Sequence, residues 1–341
     1  MSAEPKLVLV TGASGFIGTH CLIQLLEKGY RVRGTLRSMD RSDSIREIVG
    51  KHAKTDKLDF VECDLTADSG WDQAMQGCSY VLHIASPLPR VAPKDPNELI
   101  QPATQGALRA LKAADLAGIK RFVMTASTAS IAYGHSNTDK VFTESDWSDP
   151  DGTDNSAYTR SKTIAEKAAW KYIESSKTIM EFCTINPGAV LGPILENDYG
   201  TSAEIVLKLL TGDFPGLPAL GYPLVDVRDV ADLHIRAMES DKSRGQRYLC
   251  ANEFMWISDI AELLRESHPQ YAKNLPAMKL PNWAVRLASL FDPVTRSVVF
   301  ELGISRECDS SKAKKILGWQ PRNNREAIVA TADTLIALGL V

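Results

Sequence analysis

The sequence predicts an α/β protein with a Rossmann-type doubly wound parallel sheet and a smaller, mostly helical C-terminal lobe. Three observations predict this fold. Short apolar runs alternate with amphipathic helical patterns through residues 1–130, and a glycine-rich loop joins the first run to the first helix. The last third of the chain has short helical patterns and little strand pattern. A length of 341 residues accommodates both parts.

The predicted elements follow one another in a strand–helix rhythm. Leu7–Val10 is a wholly apolar run, which is typical of a buried parallel strand. Residues 16–28 have a one-sided apolar pattern, and Gly29 ends this helix. Further strands are predicted at Tyr30–Leu36, Leu58–Cys63, Tyr80–Ile84 and Arg121–Thr125, with a helix at Asn97–Ala117. This order predicts a parallel sheet with helices on both faces.

The second half of the chain changes in character. Residues 135–156 are polar and predict a surface loop, followed by a helix at Ala157–Ser176 and a strand at Ile179–Ile185. Short helices are predicted at Ile257–Glu266, Trp283–Leu290, Ser311–Leu317 and Arg325–Leu338. We therefore divide the chain into a sheet domain, residues 1–190, and a lobe, residues 191–341, with segments such as 222–240 returning to the sheet domain.

Composition excludes several functional classes. The formal net charge is −3, which disfavours a nucleic-acid binder and a polybasic membrane contact. The six cysteines are dispersed, so we expect free thiols in a reducing compartment, and no cluster of cysteine and histidine predicts a metal site. We find neither a signal-peptide pattern nor a run of 18 apolar residues, so we expect a cytoplasmic protein without a membrane span.

The glycine-rich loop predicts a nucleotide site. Residues 11–18 read TGASGFIG and lie between the first strand and the first helix. Gly12 permits a tight turn, Gly15 lets the backbone approach a pyrophosphate, and Gly18 permits close packing of helix on strand. The N–H groups of the helix N-terminus then face the phosphates. The predicted contacts are Thr11, Gly12, Ser14, Gly15, Phe16, Ile17 and Gly18.

The end of the second predicted strand favours NADP(H) over NAD(H). An acidic residue usually stands there in NAD-binding proteins, but this segment reads Gly34-Thr35-Leu36-Arg37-Ser38. Arg37 is suited to a 2′-phosphate, with Ser38 and Arg41 assisting, although arginines at such positions are often simply solvated. Asp64 and Leu65, after the third strand, are candidates to contact the adenine, and Asp64 is nearly as well suited to capping its own loop.

A tyrosine and a lysine form the candidate catalytic pair. Tyr158 and Lys162 are four residues apart on a predicted helix, so both side chains lie on one face. A nearby ammonium favours the deprotonated form of a phenol, which otherwise loses its proton only near pH 10. Such a pair is common by chance, and its meaning depends on the other motifs.

With these motifs, the sequence resembles the extended branch of the short-chain dehydrogenase/reductase superfamily. TGxxGxxG after the first strand and YxxxK at Tyr158–Lys162 carry this resemblance, which covers nearly the whole chain. More narrowly, the chain is similar to the dihydroflavonol-reductase-like group of NADPH-dependent aldehyde and ketone reductases. The segments that carry this closer resemblance are Tyr30–Arg37, His83–Pro87, Arg121–Ser127, Asn186–Gly188, Val225–Ala231 and Ser311–Trp319.

The resemblance implies roles for individual residues. Tyr158 would donate a proton to a substrate carbonyl, Lys162 would hydrogen-bond the nicotinamide ribose, and Ser127 would bind the same carbonyl oxygen. Residues implied to line the cofactor groove are Ala85, Ser86, Pro187 and Gly188, together with Tyr158 and Lys162. The residues that we expect to contact substrate are Ser86, Ser127, Tyr133, Tyr158 and Tyr222.

Two departures from the family pattern leave alternatives open. Ala126 stands where the family often has a serine, so Ser130 is an alternative to Ser127 as the catalytic serine. Ala132 stands where plant flavonoid reductases have an asparagine against the flavonoid ring, which places a dihydroflavonol substrate in doubt. His83 lies in an apolar strand and is more typical of a core residue than of a catalyst.

We therefore predict NADPH-dependent reduction of a small, largely apolar aldehyde or ketone to an alcohol, a reversible reaction. Two alternatives remain: an NAD-dependent epimerase or dehydratase acting on a nucleotide sugar, and a non-enzymatic NADP-sensing module. The prediction includes no metal and no nucleic-acid partner. Because dimers are frequent in the superfamily, a homodimer is possible.

Overall fold

The main sheet has seven parallel strands. The structure is a computed structural model that describes residues 5–87, 95–135 and 139–341. The strands of the main sheet lie in the order β3-β2-β1-β4-β5-β6-β9. Their bounds are β1 Leu7–Thr11, β2 Arg31–Leu36, β3 Leu58–Glu62, β4 Tyr80–His83, β5 Arg121–Thr125, β6 Glu181–Pro187 and β9 Gln246–Cys250. The reversal of strand order between β1 and β4 is where open α/β sheets bind their ligands, so the predicted Rossmann-type fold is confirmed.

Helices cover both faces of this sheet and form most of the lobe. Through the sheet domain they are α1 Phe16–Glu27, α2 Ser42–Gly50, α3 Trp71–Met75, α4 Asn97–Leu116 and α5 Ala157–Ser175. Later in the chain they are α6 Ala203–Thr211, α7 Val227–Glu239, α8 Ile257–Ser267, α9 Asn282–Ala288, α10 Pro293–Val298, α11 Ser311–Leu317 and α12 Asn324–Ala337. In the described part of the chain, no helix is both long and apolar enough to cross a membrane.

The second half contains more strand than the sequence indicates. A three-stranded sheet has the order β10-β8-β7, formed by Ala189–Leu191 (β7), Gly221–Asp226 (β8) and Phe254–Trp256 (β10). Two of these strands have only three residues, which is too short for a recognisable alternation of apolar and polar side chains. Residues 227–239 and 246–250 pack on or within the main sheet as α7 and β9.

Two local expectations are wrong. The sixth strand starts at Glu181 rather than Ile179, whose side chain is 90% exposed, because Glu181 is the first residue to pair with β5. Within residues 135–156, Phe142 and Ser148 are completely buried. Phe142 hydrogen-bonds through its backbone to Glu307 and Asp309, so this polar segment contributes to the core instead of lying wholly on the surface.

The lobe has its own apolar core, which α6, α8 and α12 share with β8. The carboxyl ends of β5 and β6 face this lobe, because Ser127 and Gly188, which follow them, line a cavity together with residues of the lobe.

Candidate functional site

The glycine-rich loop forms a backbone cradle before α1. Gly12 has φ +68°, and a Cβ there would lie 2.9 Å from Ala85 Cα. A Cβ on Gly18 would lie 2.1 Å from the carbonyl oxygen of Gly12, so only glycine permits this approach. The first N–H groups of α1 have no partner within the helix. The loop therefore presents donors and a helix N-terminus to an anionic group.

Thr11 and His83 fix this cradle against β4. Thr11 Oγ1 accepts hydrogen bonds from the N–H groups of Ile84 and Ala85, both at 3.1 Å, and lies 2.9 Å from His83 Nδ1. Because Thr11 already accepts twice, its own hydrogen is directed at His83 Nδ1. Burial, with the positive charge of Lys162, lowers the pKa of His83 to about 3. His83 is thus a neutral core residue, as its sequence context indicates.

The end of β2 presents a cationic surface. Arg37 is exposed. Hydrogen bonds from Thr66 hold the pKa of Asp64 below the usual value, and the charge of Arg37 adds to that effect. Asp64 Oδ1 accepts from the Thr66 backbone at 2.7 Å, so it caps its own loop. Arg41, an expected assistant of Arg37, instead forms ion pairs with Glu196 and Asp198. Arg37 is left as the exposed cation nearest the strand end.

A cavity of about 670 Å³ lies between the sheet domain and the lobe. Ser127 follows β5, and Tyr158 lies in the first turn of α5; both line the cavity. Ser127 Oγ accepts from the Ala129 N–H at 3.1 Å, which leaves its hydroxyl hydrogen available. The Tyr158 hydroxyl has no hydrogen-bond partner among the described residues. Two hydroxyl donors therefore face the same cavity.

Lys162 lies one turn after Tyr158 on α5. Its Nζ is 5.8 Å from the centroid of the Tyr158 ring, and its charge acts on His83 of β4. Ser156 caps the helix, because its side chain accepts from the Thr159 N–H at 3.1 Å. The helix thus begins just before Tyr158, and its regular spacing keeps the ammonium beside the phenol.

Ser130 is placed differently from Ser127. It is completely buried, and its hydroxyl contacts the carboxylate of Glu166 and the backbone oxygen of Ser127. Ser130 does not line the cavity in the described part of the chain. Of the two candidate serines, only Ser127 faces the space beside Tyr158.

Glu166 and Arg247 were missed by the sequence analysis. Glu166 is completely buried one turn after Lys162, and Arg247 Nε donates to it at 2.7 Å. Arg247 also donates to the carbonyl oxygens of Glu144 and Asp146 and stacks on Trp147, 3.6 Å from its ring centroid. A lysine and a glutamate four apart are usually a surface pair, so no local signal distinguished Glu166.

The remaining predicted contacts divide into two groups. Of the expected substrate contacts, Ser127, Tyr133, Tyr158 and Tyr222 line the cavity, with Gly188 from the cofactor set. Ser86 does not line it, and it precedes residues 88–94, which lie outside the described residues. Ala132 is buried away from the cavity. Leu65 packs against Gly106 of α4, and Pro187 ends β6 within the sheet.

Across the described ranges, no group of three or more histidine, cysteine, aspartate or glutamate residues is arranged to hold a metal ion.

Sequence comparison identifies relatives along nearly the whole chain. The model of the NAD dependent epimerase/dehydratase family matches residues 8–251. An uncharacterised oxidoreductase of Schizosaccharomyces pombe is 35% identical over 334 residues, which are 92% of this chain and 97% of the relative. Cinnamoyl-CoA reductase 1 of Petunia hybrida is 37% identical over 276 residues, which are 79% of this chain and 80% of the relative.

A solved structure has the same architecture. The methylglyoxal/isovaleraldehyde reductase Gre2 of yeast, crystallised with NADPH, superposes with a TM-score of 0.81 and 28% sequence identity. The alignment covers 98% of this chain and 100% of that chain. The similarity therefore includes the lobe as well as the sheet domain.

Proposed function

The chain belongs to the NAD dependent epimerase/dehydratase family, and we propose that it uses NADPH to reduce an aldehyde or ketone to an alcohol, in a reversible reaction. The observation that carries this proposal is the shared cavity of Ser127 and Tyr158, with Lys162 one turn further along α5. Relatives that are named as oxidoreductase or reductase, and a reductase structure that holds NADPH, support it.

The residues present fit the cofactor. A Cβ at Gly12 would clash with Ala85 and one at Gly18 with the Gly12 carbonyl, so glycine is needed at both positions for the tight turn that presents N–H groups to a pyrophosphate. Arg37 stands exposed at the end of β2 for a 2′-phosphate. The N–H groups at the start of α1 would bind the pyrophosphate, and Lys162 would bind the nicotinamide ribose. When bound, NADPH supplies a hydride from its nicotinamide ring.

The chain's own residues perform the proton chemistry. Ser127 donates a hydrogen bond to the substrate carbonyl oxygen and orients it, and the oxygen carries increasing negative charge as the carbonyl is reduced. Tyr158 gives its hydroxyl proton to that oxygen. The positive charge of Lys162 stabilises the phenolate that remains. The mostly apolar cavity wall suits an apolar substrate, whose binding displaces water from these groups.

Two features argue against the alternative of a nucleotide-sugar epimerase. Arg37 occupies the strand end where an NAD-binding protein would place an acid for the ribose hydroxyls. The cavity wall as a whole is largely apolar, whereas a sugar diphosphate needs several polar and cationic groups. The non-enzymatic alternative predicts binding without turnover.

The direct test measures NADPH absorbance with a panel of aromatic and aliphatic aldehydes and ketones. We expect NADPH oxidation with equimolar alcohol formation, and a Tyr158→Phe variant that binds NADPH but turns over orders of magnitude more slowly. NADPH binding without oxidation across the panel would favour the sensing module. NAD retained through purification would favour the epimerase.

We also propose a cytoplasmic location and a homodimer. All six cysteines are free, which supports a reducing compartment. Sedimentation at several protein concentrations tests the dimer, and fluorescence microscopy of the tagged protein tests the location.

A further inference from the structure

The substrate cavity contains one buried carboxylate that the mechanism does not use. Glu301 lies in a short turn after α10, is 8% exposed and lines the cavity. Its Oε2 accepts from the Tyr133 hydroxyl at 3.2 Å and lies 3.7 Å from Arg306 Nη1. Among the described residues, Oε1 has no hydrogen-bond partner. A buried carboxylate with an unused acceptor is costly unless a partner reaches it.

A second unused polar group faces the same space. Tyr222 of β8 lines the cavity, and its hydroxyl has no hydrogen-bond partner within the described part of the chain. Burial and then the charge of Glu301 raise the pKa of Tyr222 well above the usual value, so it remains a donor. Together the two groups offer one acceptor and one donor, which matches the needs of a single hydroxyl.

The surrounding charges hold this pair in place. Arg306 lies on the Tyr133 ring at 4.1 Å and donates to Asp154 at 2.9 Å and to the Ala132 carbonyl at 3.0 Å. Arg306 therefore divides its charge between two carboxylates and leaves Glu301 partly uncompensated. Burial raises the pKa of Glu301 to about 7, while Arg306 and Tyr133 oppose that rise.

We propose that Glu301 and Tyr222 bind a hydroxyl group of the substrate, remote from its carbonyl, so that the preferred substrates are hydroxylated aldehydes or ketones. The proposal rests on the proposed function and specifies its substrate class. The carbonyl lies at Ser127 and Tyr158, the carbon skeleton along the apolar wall, and the hydroxyl donates to Glu301 Oε1 while accepting from Tyr222. Tyr133 connects the two regions, because it follows Ser127 in the loop after β5.

The test compares matched aldehydes that differ by one hydroxyl. para-Hydroxymethylbenzaldehyde and para-ethylbenzaldehyde have similar size, and para-hydroxymethylcinnamaldehyde and para-ethylcinnamaldehyde extend the reach. For at least one pair, we expect kcat/KM to favour the hydroxylated member about tenfold or more. In Glu301→Leu and Tyr222→Phe, that ratio should fall towards one.

Glu204→Leu is the matched control, since Glu204 lines the same cavity but is only half-buried on α6. In this variant, the ratio of kcat/KM for the hydroxylated aldehyde to kcat/KM for its ethyl partner should equal that of the unaltered protein. Equal kcat/KM for both members of every pair, or an unchanged ratio in Glu301→Leu, would overturn the inference. NADPH oxidation absent with all four aldehydes would count against the proposed function itself, so the two failures are distinct.

The pH dependence gives a second readout that does not need a variant. Asp154, Arg306, Tyr133 and Tyr222 are the charged or titratable groups around Glu301. Because only the ionised carboxylate accepts on both oxygens, the hydroxyl preference should rise as the pH increases through about 7. Taking the ratio within a pair removes the titration of Tyr158, which both members share. A ratio that is flat from pH 6 to 8 would contradict the role of Glu301 as acceptor.

Discussion

At the scale of single residues, the two serines after β5 differ in role: we assign Ser127 to catalysis and Ser130 to stability. Ser127 faces the cavity, whereas Ser130 is buried against Glu166. We expect Ser127→Ala to lower kcat by about a hundredfold or more and to cost no more than about 1 kcal/mol of stability, which is the loss of the hydroxyl that accepts from the Ala129 N–H. Ser130→Ala should instead cost about 1–3 kcal/mol of stability, since it removes a partner of a buried carboxylate.

Steady-state kinetics and urea unfolding of both variants separate these effects. If Ser130→Ala proves the slower enzyme and Ser127→Ala the less stable fold, the two assignments must be exchanged.

Arg37 decides the choice of cofactor in our interpretation. Arg37→Asp should raise KM for NADPH more than about tenfold and leave KM for NADH nearly unchanged, because only NADPH carries the 2′-phosphate. Lys54→Asp provides the control, since it makes the same charge change at an exposed position before β3. If the ratio of KM for NADPH to KM for NADH is the same in both variants, Arg37 does not bind the 2′-phosphate and another residue does.

Residues differ in how well the sequence reveals them. The glycines of residues 12–18 and the Tyr158–Lys162 pair have fixed spacings within one segment, so pattern alone locates them. Glu301 meets Tyr133 across 168 positions of sequence. Its only local signal is that it follows the apolar residues Val298, Val299 and Phe300. Contacts of that range depend on how the lobe folds over the sheet.

At the scale of elements, α5 carries three functional side chains on one stripe. Tyr158, Lys162 and Glu166 are spaced by four residues, and the third fixes the helix to β9 through Arg247. Glu166 also accepts from Thr184 and Asn186 of β6. The buried middle of the helix thus helps to set the position of the catalytic side chains in its first two turns.

Arg247→Met removes the cation and leaves Glu166 as a buried, uncompensated charge. We expect a loss of about 3–5 kcal/mol in the free energy of unfolding, measured with urea by circular dichroism. The double variant Glu166→Gln/Arg247→Met should recover much of that loss, because no charge then remains to be compensated. If the free energy of unfolding of Arg247→Met lies within about 1 kcal/mol of that of the unaltered protein, the ion pair of Glu166 and Arg247 is not important for stability.

The sequence predicted those strands and helices whose apolar residues follow a continuous run or a regular helical spacing. The apolar run of β1 and the one-sided pattern of α1 lie within one or two residues of their expected bounds. β8 was not predicted because Gly221 and Pro223 interrupt it, and both residue types are depleted in strands. Its pairing partners β7 and β10 have three residues each, so tertiary contacts rather than local preference determine this sheet.

At the scale of the whole molecule, the last 31 residues complete both cores. Ala313, Leu317 and Trp319 belong to the core of the sheet domain, beside α7. A few residues later, α12 contributes Ala327, Ile328, Ala332 and Leu335 to the core of the lobe. A division of the chain at residue 190 therefore does not match the packing, because residues after 311 belong to the cores of both parts. The cavity lies between two parts that share this C-terminal segment.

Trp319 is the residue through which this shared segment can be tested. Its side chain is 1% exposed, and its indole N–H donates to the Asp229 carbonyl at 3.0 Å. Trp319→Ala should cost about 3–5 kcal/mol of stability, whereas Trp283→Ala, at a tryptophan that is 69% exposed, should change it by less than about 0.5 kcal/mol. Because one segment serves both cores, reductase activity and helical circular dichroism should disappear at the same temperature, and that temperature should fall in Trp319→Ala. Activity lost well before the helices melt, or equal effects of the two substitutions, would mean that the lobe unfolds independently of the sheet.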